Sequence, residues 1–496
     1  MTISSHTSCI MKINRDNIFN FTVSAKQTPE KDDKQKKPDQ DEQRTKALID
    51  MLEGFNFQIH TKPNYIFINE AQRLYMVPEN GDMSRRHSIS EKRLCERFVQ
   101  SETGQFLAVY TPGTCAVLKV QEDALYKSLD DPANVYFEIA MSNLPNIRFS
   151  KSERLLVLQT RSLSIIIDLK TKQTLFSKTF QLEESFKMKS NPLLFENEAS
   201  FYFFTSPSTI QLFDIARKKA KDGDEMLNIS EGSSKEFKIP RGGIASSVAM
   251  TADNGLCILC LNTKVALITD DNLTPIFALE LPQESFHEAQ IKMSKDLQSA
   301  LILFTNYLDD SGKSYYGTNR LQLINMHLGK SADVLTVRGP IHSIAWNPNS
   351  TEFIAFSGHM PAHSIIYSNF GDSRIQLGVL YANFAKWSPD SKLIAIGGFG
   401  SLDTGLSIYD SADLKVVSHV KTEQATSFKW LDDSKRFIMA ILFHKLKVAN
   451  CFRLYSIDGS LLLKLNFSKT QLLKVRFSSF SKLNRQILKE HNRVRD

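Results

Sequence analysis

Cysteine is scarce in this sequence, and what there is does not form a framework. Six cysteines are spread over 496 residues, too few for a disulfide scaffold of that length. The one close pair, Cys257 and Cys260, lies in the apolar run GLCILCLN with no second pair and no neighbouring histidine. A zinc or redox centre needs more ligands than this. The sequence therefore predicts reduced thiols inside a strand core and a cytoplasmic protein.

Long hydrophobic runs are also missing. No stretch reaches the roughly 18 apolar residues that a membrane-spanning helix requires. The N-terminus carries Lys12, Arg15 and Asp16 too early to leave room for the apolar region of a secretory signal. The formal charge of +7 is a mild basic excess, which is compatible with an RNA-associated partner without indicating one.

Motifs of catalysis and ligand binding are absent. The glycine-rich run at 397–400 is not followed by the Lys-Ser or Lys-Thr of a phosphate-binding loop, and neither HExxH nor GxSxG occurs. His359 and His363 are four residues apart, but no third ligand lies near them in the sequence. We therefore predict no catalytic residues, no cofactor site and no metal site, and a protein that is not an enzyme.

What the sequence does contain is a repeat. The stretch FAKWSPDSKLIAIGG, beginning at Phe384, joins an apolar anchor, a polar turn and an apolar strand. Related stretches begin near residues 98, 147, 193, 248, 291, 344 and 428, and a half-copy, LKVRFSSFSK, begins at residue 473. All three tryptophans, Trp346, Trp387 and Trp430, occupy the anchor position. We interpret them as blade-packing anchors rather than as site residues.

A period of 40 to 50 residues with about four short strands per unit is typical of a β-propeller, in which neighbouring blades stack and bury each other's faces. The sequence thus predicts an all-β, WD40-like β-propeller. The count of units gives nine blades, with eight left open because the first unit is divergent. The half-copy at 473–480 is predicted to pair with N-terminal strands and so close the ring.

Three domains are predicted from composition. Residues 1–46 form a charged leader that is predicted to be disordered, most clearly over 26–46, which has almost nothing apolar. Residues 47–480 form the propeller, with a polar insertion at 216–238 predicted to be a long loop. Residues 481–496 carry apolar side chains at helical spacing and predict a short basic helix.

Residues 302–460 carry motifs that are more specific than the repeat. Those with most weight are Tyr315-Tyr316-Gly317, the string WNPNSTEF from Trp346, Met360-Pro361-Ala362 and Gly398-Phe399-Gly400. In this order they resemble the eukaryotic translation initiation factor 2A family. Before residue 290 the similarity lies in the layout of the blades more than in individual motifs.

The resemblance implies a function. Members of that family are initiation factors built on a nine-bladed propeller; they bind the small ribosomal subunit and are associated with delivery of initiator methionyl-tRNA without the GTP-dependent carrier. Members usually continue into a long lysine-rich tail, whereas this chain stops at Asp496. The implied partners are the small ribosomal subunit, other initiation factors, initiator tRNA and mRNA, with no membrane.

Three alternatives remain at this stage. The chain could be a non-catalytic propeller scaffold for protein–protein interaction, a relative of the propeller subunit of initiation factor 3, or a propeller hydrolase with a metal-dependent site in the central channel. For ribosome or RNA binding we expect cations on turns and in the tail to make contact. These candidate contacts are Lys313, Arg320, Arg374, Lys445, Lys489, Arg493 and Arg495.

Overall fold

The computed structural model describes most of the chain between residues 65 and 477, together with two short strands near the N-terminus. The described ranges are 9–12, 22–25, 65–120, 126–143, 145–160, 162–179, 193–194, 198–219, 225–230, 232–307, 317–443, 445–467 and 470–477. Residues 64–483 form one compact unit, and residues 1–63 with 484–496 form another.

The compact unit 64–483 is built from nine antiparallel sheets, which are the blades of a propeller. Blade 1 contains β3 (Tyr65–Glu70), β4 (Arg73–Pro78), β5 (His87–Ser90) and β39 (Leu472–Phe477). Blade 2 contains β6 (Arg97–Gln100), β7 (Phe106–Thr111), β8 (Gly113–Lys119) and β9 (Val135–Met141). Blade 3 contains β10 (Asn146–Phe149), β11 (Leu155–Gln159), β12 (Leu163–Asp168) and β13 (Gln173–Thr179).

Among the next three blades, blade 4 has a fifth described strand. Blade 4 contains β14 (Leu193–Leu194), β15 (Ser200–Ser206), β16 (Thr209–Lys219), β17 (Glu225–Ile229) and β18 (Lys235–Lys238). Blade 5 contains β19 (Ser247–Met250), β20 (Leu256–Cys260), β21 (Val265–Thr269) and β22 (Pro275–Glu280). Blade 6 contains β23 (Glu288–Met293), β24 (Ser299–Thr305), β25 (Thr318–Asn325) and β26 (Lys330–Arg338).

The last three blades are regular and carry the three tryptophans. Blade 7 contains β27 (Ile341–Trp346), β28 (Glu352–Ser357), β29 (Ala362–Ser368) and β30 (Ser373–Leu380). Blade 8 contains β31 (Phe384–Trp387), β32 (Leu393–Gly398), β33 (Gly405–Asp410) and β34 (Val416–Val420). Blade 9 contains β35 (Ser427–Trp430), β36 (Arg436–Ile441), β37 (Cys451–Ser456) and β38 (Leu461–Asn466).

We call the four strands of each blade a, b, c and d in the order in which they pair. Strands a of neighbouring blades touch each other, as β27 does β31, so they form the inner wall around the central channel. Strands b and c are buried, whereas strand d alternates between exposed and half-buried side chains. Strand d therefore forms the outer edge.

The turn between strands a and b explains the serine of the sequence repeat. In blade 8 the Ser388 hydroxyl accepts a hydrogen bond from the Leu393 amide at 2.9 Å, and the Ser388 amide donates to the Leu393 carbonyl at 2.8 Å. The same pair of bonds forms at Ser101, Ser150 and Ser294 in blades 2, 3 and 6. A serine side chain that satisfies the backbone in this way fixes the tight turn.

The hydrophobic core lies between the blades rather than within them. Nine clusters of buried side chains each combine residues from two neighbouring blades, as the sequence argument for stacked blades requires. One cluster joins blade 9 to blade 1 through Phe452 and Ile66. The ring is therefore closed.

Closure uses the predicted half-copy. Strand β39 supplies strand a of blade 1 and pairs antiparallel with β3, with Ile68 opposite Val475. The all-β propeller with nine blades is confirmed, and the eight-bladed alternative is wrong because the divergent first unit completes its sheet with this C-terminal strand.

The polar insertion at 216–238, predicted to be a loop, contains strand structure. Strand β16 extends to Lys219 and pairs over 215–219 with β17, while its first half pairs with β18. The prediction was wrong because polar composition hid two buried side chains, Leu227 and Ile229, that join the cluster between blades 3 and 4.

Two predicted features lie largely outside the described residues. In the leader predicted to be disordered, β1 (Cys9–Lys12) pairs with β2 (Thr22–Ala25), and 26–46 is not described. The predicted C-terminal helix at 481–496 is also outside the described residues. Helices in the described part are four short 3-10 turns, at Met83–Arg85, Pro132–Asn134, Pro240–Gly242 and Gly400–Leu402, and no helix there could cross a membrane.

Candidate functional site

The two rims of the propeller carry different connections. One rim, the b–c face, carries the loops between strands b and c and the connections between blades. The other, the a–b face, carries the turns between strands a and b and between strands c and d. Predicted contact residues can therefore be assigned to a rim from their position in a blade.

Two of the predicted contacts are already neutralised by carboxylates. Arg320, near the b–c face, pairs with Asp333 and lies 3.2 Å from Glu284, so its guanidinium bridges two acidic side chains. Arg374, near the a–b face, lies 3.1 Å from Glu352. These arginines could meet phosphate only by sharing or losing those partners, and they stand on opposite rims.

Lys445 is the remaining described residue of that set. It lies in the loop between β36 and β37 on the b–c face, where its side chain is exposed. The other four candidates, Lys313, Lys489, Arg493 and Arg495, lie outside the described residues. The structure thus brings no cluster together from the described members of the predicted set, and contact by these residues stays a prediction.

The three tryptophans connect blades directly. Each indole Nε1–H donates to a strand a carbonyl of the preceding blade: Trp346 to Lys292 at 2.9 Å, Trp387 to Ala345 at 3.1 Å and Trp430 to Lys386 at 3.0 Å. A backbone carbonyl left without a donor in such a position is costly. The tryptophans therefore bond as well as pack across successive blade interfaces.

A group of cations on the inner wall was not predicted. They sit on strands a, and we call them the inner cations: Arg97, Arg148, Lys292, Lys386, Lys429, Lys474 and Arg476. Five of them directly precede the anchor of their blade, in IRF, IKM, AKW, FKW and VRF. This recurring basic residue was a visible signal in the aligned repeats.

Several inner cations reach to the next blade. Lys292 donates to the Ile344 carbonyl at 3.2 Å, and Arg97 donates to the Pro145 carbonyl at 2.8 Å. Lys474 donates to the Phe98 carbonyl at 2.9 Å, with its Nζ 4.4 Å from the centre of the Phe98 ring. These acceptors are neutral, so they orient the cations without cancelling their charge.

Burial is the main influence on the lowered pKa values among the inner cations, and neighbouring positive charges come second at Lys474 and Lys429. Burial and the positive charges of Arg476, Arg97 and Lys429 lower the pKa of Lys474 to about 8. Burial, then Arg476, lowers the pKa of Lys429, with Asp432 acting in the opposite direction. Burial also lowers the pKa values of Lys386 and Arg476. The protein therefore holds positive charge where it is disfavoured.

Burial and close packing account for the cysteine pair and the glycine run singled out in the sequence. Cys257 and Cys260 are buried on β20, and burial raises their thiol pKa values to about 12 and about 11, so both are protonated near neutral pH. Glycines 397 and 398 leave no room for a side chain, because a Cβ at Gly397 would lie 2.4 Å from the Gly405 carbonyl oxygen. The described residues contain no cluster of three or more metal-ligating side chains.

The similarity to a known protein family is found in blades 6 to 9. The model of the family described as eukaryotic translation initiation factor eIF2A matches residues 284–475, which run from the start of blade 6 into β39. Over this region the chain is similar to members of the eIF2A family. The specific motifs at 302–460 lie inside the matched region.

Relatives named eukaryotic translation initiation factor 2A match the same share of the chain. The Schizosaccharomyces pombe protein is 31% identical over 191 residues, which is 38% of this chain and 33% of the relative. The Caenorhabditis elegans protein is 30% identical over 196 residues, 39% of this chain and 34% of the relative. The chain thus spans about a third of the length of these eIF2A proteins in the aligned regions.

Two further likenesses extend the comparison. A Xenopus laevis protein named as a subunit of eukaryotic translation initiation factor 3 is 26% identical over 139 residues, 27% of this chain and 20% of that protein. A crystal structure of a eukaryotic initiation factor superposes with a TM-score of 0.65 at 16% identity, covering 84% of this chain and 99% of that one. At such identity this likeness establishes the fold.

Proposed function

We propose that this protein is a translation initiation factor that binds the small ribosomal subunit in the cytoplasm, without catalysing a reaction itself. The observation that carries the proposal is the match to the eIF2A family across blades 6 to 9. Those blades form a continuous part of a closed ring, so they present their rims as a single rigid surface. A rigid propeller suits binding of a large partner through loops and rim charges.

The proposed mechanism is electrostatic docking. Lysine and arginine side chains on a rim meet ribosomal RNA phosphates, and the blade loops fix orientation through contacts with ribosomal protein. Lys445 is the predicted contact best placed for this among the described residues, because its side chain is exposed and carries no ion pair with a described carboxylate. The proposal extends to initiator methionyl-tRNA, which the bound factor would help to deliver without the GTP-dependent carrier.

Cosedimentation of the full chain with small ribosomal subunits tests the proposal, at about 50 mM and about 200 mM salt, with and without initiator tRNA. We expect saturable pelleting that weakens with salt. Charge reversal by Lys445→Glu on the b–c face is compared with Lys435→Glu, which reverses an exposed lysine on the a–b face of the same blade. If Lys445→Glu loses binding and Lys435→Glu does not, the b–c face is the one that contacts the ribosome.

Failure to pellet at low salt would contradict ribosome binding. It would favour a second candidate, a protein-interaction scaffold, for which the similarity to a subunit of initiation factor 3 gives a specific reason, since that protein is named as part of a multisubunit factor. The scaffold candidate expects protein partners that survive nuclease treatment in a pull-down. If initiator tRNA does not change the amount of pelleted protein and is itself absent from the pellet, the result contradicts tRNA delivery but not ribosome binding.

A further inference from the structure

Five of the seven inner cations lie on four consecutive blades. Lys386 belongs to blade 8, Lys429 to blade 9, Lys474 and Arg476 to blade 1, and Arg97 to blade 2. These four blades are consecutive around the closed ring, because a shared hydrophobic cluster joins blade 9 to blade 1. We call the five side chains the channel arc.

The channel arc occupies two levels. Lys386, Lys429 and Arg476 each directly precede the anchor of their strand, opposite Ala395, Ile438 and Phe67 of strand b. Lys474 lies two residues before Arg476 on the same face of β39. Two residues along a strand correspond to about 7 Å. Arg97 lies at the level of Lys474, because each is three residues before the last residue of its strand a, Gln100 and Phe477. The five charges are therefore gathered in a shallow band rather than spread along the channel.

No described carboxylate pairs with this arc. The ion pairs of the described residues involve other arginines and lysines, and none includes a member of the arc. Asp432 is the acidic group that acts on Lys429 and Arg476, from beyond ion-pair distance. Five gathered cations with one distant acid form an unfavourable arrangement unless an anion completes it.

We propose that the channel arc binds a small ligand that carries several phosphate groups, such as an inositol polyphosphate or a nucleoside triphosphate. Phosphate groups supply the missing negative charge, and each accepts charge-assisted hydrogen bonds from ammonium and guanidinium groups. This site is distinct from the rim surfaces to which ribosome binding is assigned.

The shape of the arc favours a compact polyanion over a strand of RNA. Proteins that hold single-stranded RNA combine cations along a track with aromatic side chains on which bases stack. Four described aromatic side chains next to the arc are buried in the packing of the blades: Phe98, Trp387, Phe428 and Trp430. The band of charge is also short along the channel axis, which suits phosphates clustered on one small molecule.

The test is calorimetric titration of the full chain at low salt with inositol hexakisphosphate, ATP and orthophosphate as separate ligands, and with a short single-stranded RNA. We expect stoichiometric binding of at least one of the two polyphosphates and weaker binding of orthophosphate. The test variant is Lys429→Gln, and its matched control is Lys435→Gln, which removes an exposed lysine of the same blade outside the channel. The expected effect is a loss of about tenfold or more in affinity for Lys429→Gln and less than about twofold for the control.

The comparison of ligands separates the sources of phosphate. Tight binding of inositol hexakisphosphate alone assigns a cyclitol polyphosphate, and tight binding of ATP alone assigns a nucleotide. Absence of binding, or equal affinity of wild type and Lys429→Gln, overturns the proposal. Binding of RNA that depends on Lys429, with no binding of the small ligands, overturns it in favour of a nucleic acid.

A second readout covers the case in which Lys429→Gln is poorly folded. Saturating ligand is expected to raise the thermal midpoint of the wild-type protein, because a ligand that binds the folded state alone stabilises it. Lys386→Gln provides an independent arc variant on a different blade, and it is expected to reduce this shift. Cosedimentation with ribosomal subunits is expected to be unaffected by either substitution, so the failure of one proposal is distinguishable from the failure of the other.

Discussion

At the residue scale, the tryptophan anchors combine packing with a directed hydrogen bond. Trp387 and Trp430 are each 3% exposed, and each indole N–H reaches a strand a carbonyl of the preceding blade. Phenylalanine could fill most of the same space but has no donor. The indole is therefore required for the bond, whereas hydrophobicity alone is sufficient for the packing.

Replacement of Trp430 by phenylalanine is expected to destabilise the protein by about 1–3 kcal/mol, because the Lys386 carbonyl loses its donor and a small cavity remains. Denaturant unfolding of wild type and variant measures the change. Trp346→Phe is the comparison, and its cost should be smaller, because Trp346 is only half-buried and water can replace the lost donor. Equal or negligible losses at both positions would contradict a role for the hydrogen bond.

A second residue-scale prediction concerns the charge on Lys474. Its pKa is about 8 in the folded protein against an ordinary value of 10.5, since burial and the cations Arg476, Arg97 and Lys429 outweigh the opposite effect of Cys95. The unfolded state therefore binds more protons between these values, and the contribution of this lysine to stability rises with pH from about 8 to 10.5. Below pH 8 the charged lysine is unfavourable.

At pH 7 the free energy of unfolding of Lys474→Met is expected to exceed that of wild type, because the variant has no buried charge. Removal of the charge contributes about 1–3 kcal/mol, and the loss of the contacts with Phe98 offsets part of this gain. That relative gain should shrink by up to about 1.4 kcal/mol per pH unit above pH 8. Paired denaturant titrations from pH 7 to about pH 9.5 measure the difference, with the exposed Lys435→Met as the reference substitution. A difference that does not change with pH would contradict the depressed pKa.

At the element scale, strand a and its turn explain how much the sequence could predict. The anchor, the serine of the turn and the following strand b recur in order, so their spacing predicted the blades and their number. The inner cations were missed because each lysine next to an anchor looks like an ordinary surface charge when taken alone. Ion pairs such as Arg320 with Glu284 were also invisible, since 36 residues separate the partners and only the fold brings them together.

Strand b of blade 8 shows why glycine appears where it does. Gly397 and Gly398 end β32 beside the start of β33, where backbone and the Thr404 side chain leave no room for a Cβ. Gly397→Ala is expected to cost about 1–3 kcal/mol, because the clash involves backbone atoms that cannot move cheaply. Gly232→Ala, at a position with no atom within 4 Å of the added Cβ, is the control. Similar unfolding midpoints for the two variants would contradict the steric account.

At the scale of the whole molecule, closure of the ring joins the two ends of the propeller. The Ala71 amide donates to the Gln471 carbonyl at 2.7 Å, and the Phe443 amide donates to the Leu472 carbonyl at 2.8 Å. Arg436 of blade 9 pairs with Glu79 of blade 1. Strand β39 also supplies Lys474 and Arg476, so the same element that closes the ring completes the channel arc.

Truncation after Gln471 should therefore have two effects that truncation after Leu483 does not. Removing β39 leaves β3 as an unpaired strand edge and exposes Ile66 and Ile68, whose apolar side chains now lie between blades 9 and 1. We expect aggregation and a loss of cooperative unfolding, because an open hydrophobic edge recruits other chains. Size-exclusion chromatography and thermal unfolding of both truncations measure this. If the shorter chain stays monomeric and unfolds in one step, the nine interfaces are not mutually dependent, and each blade is held mainly by its immediate neighbours.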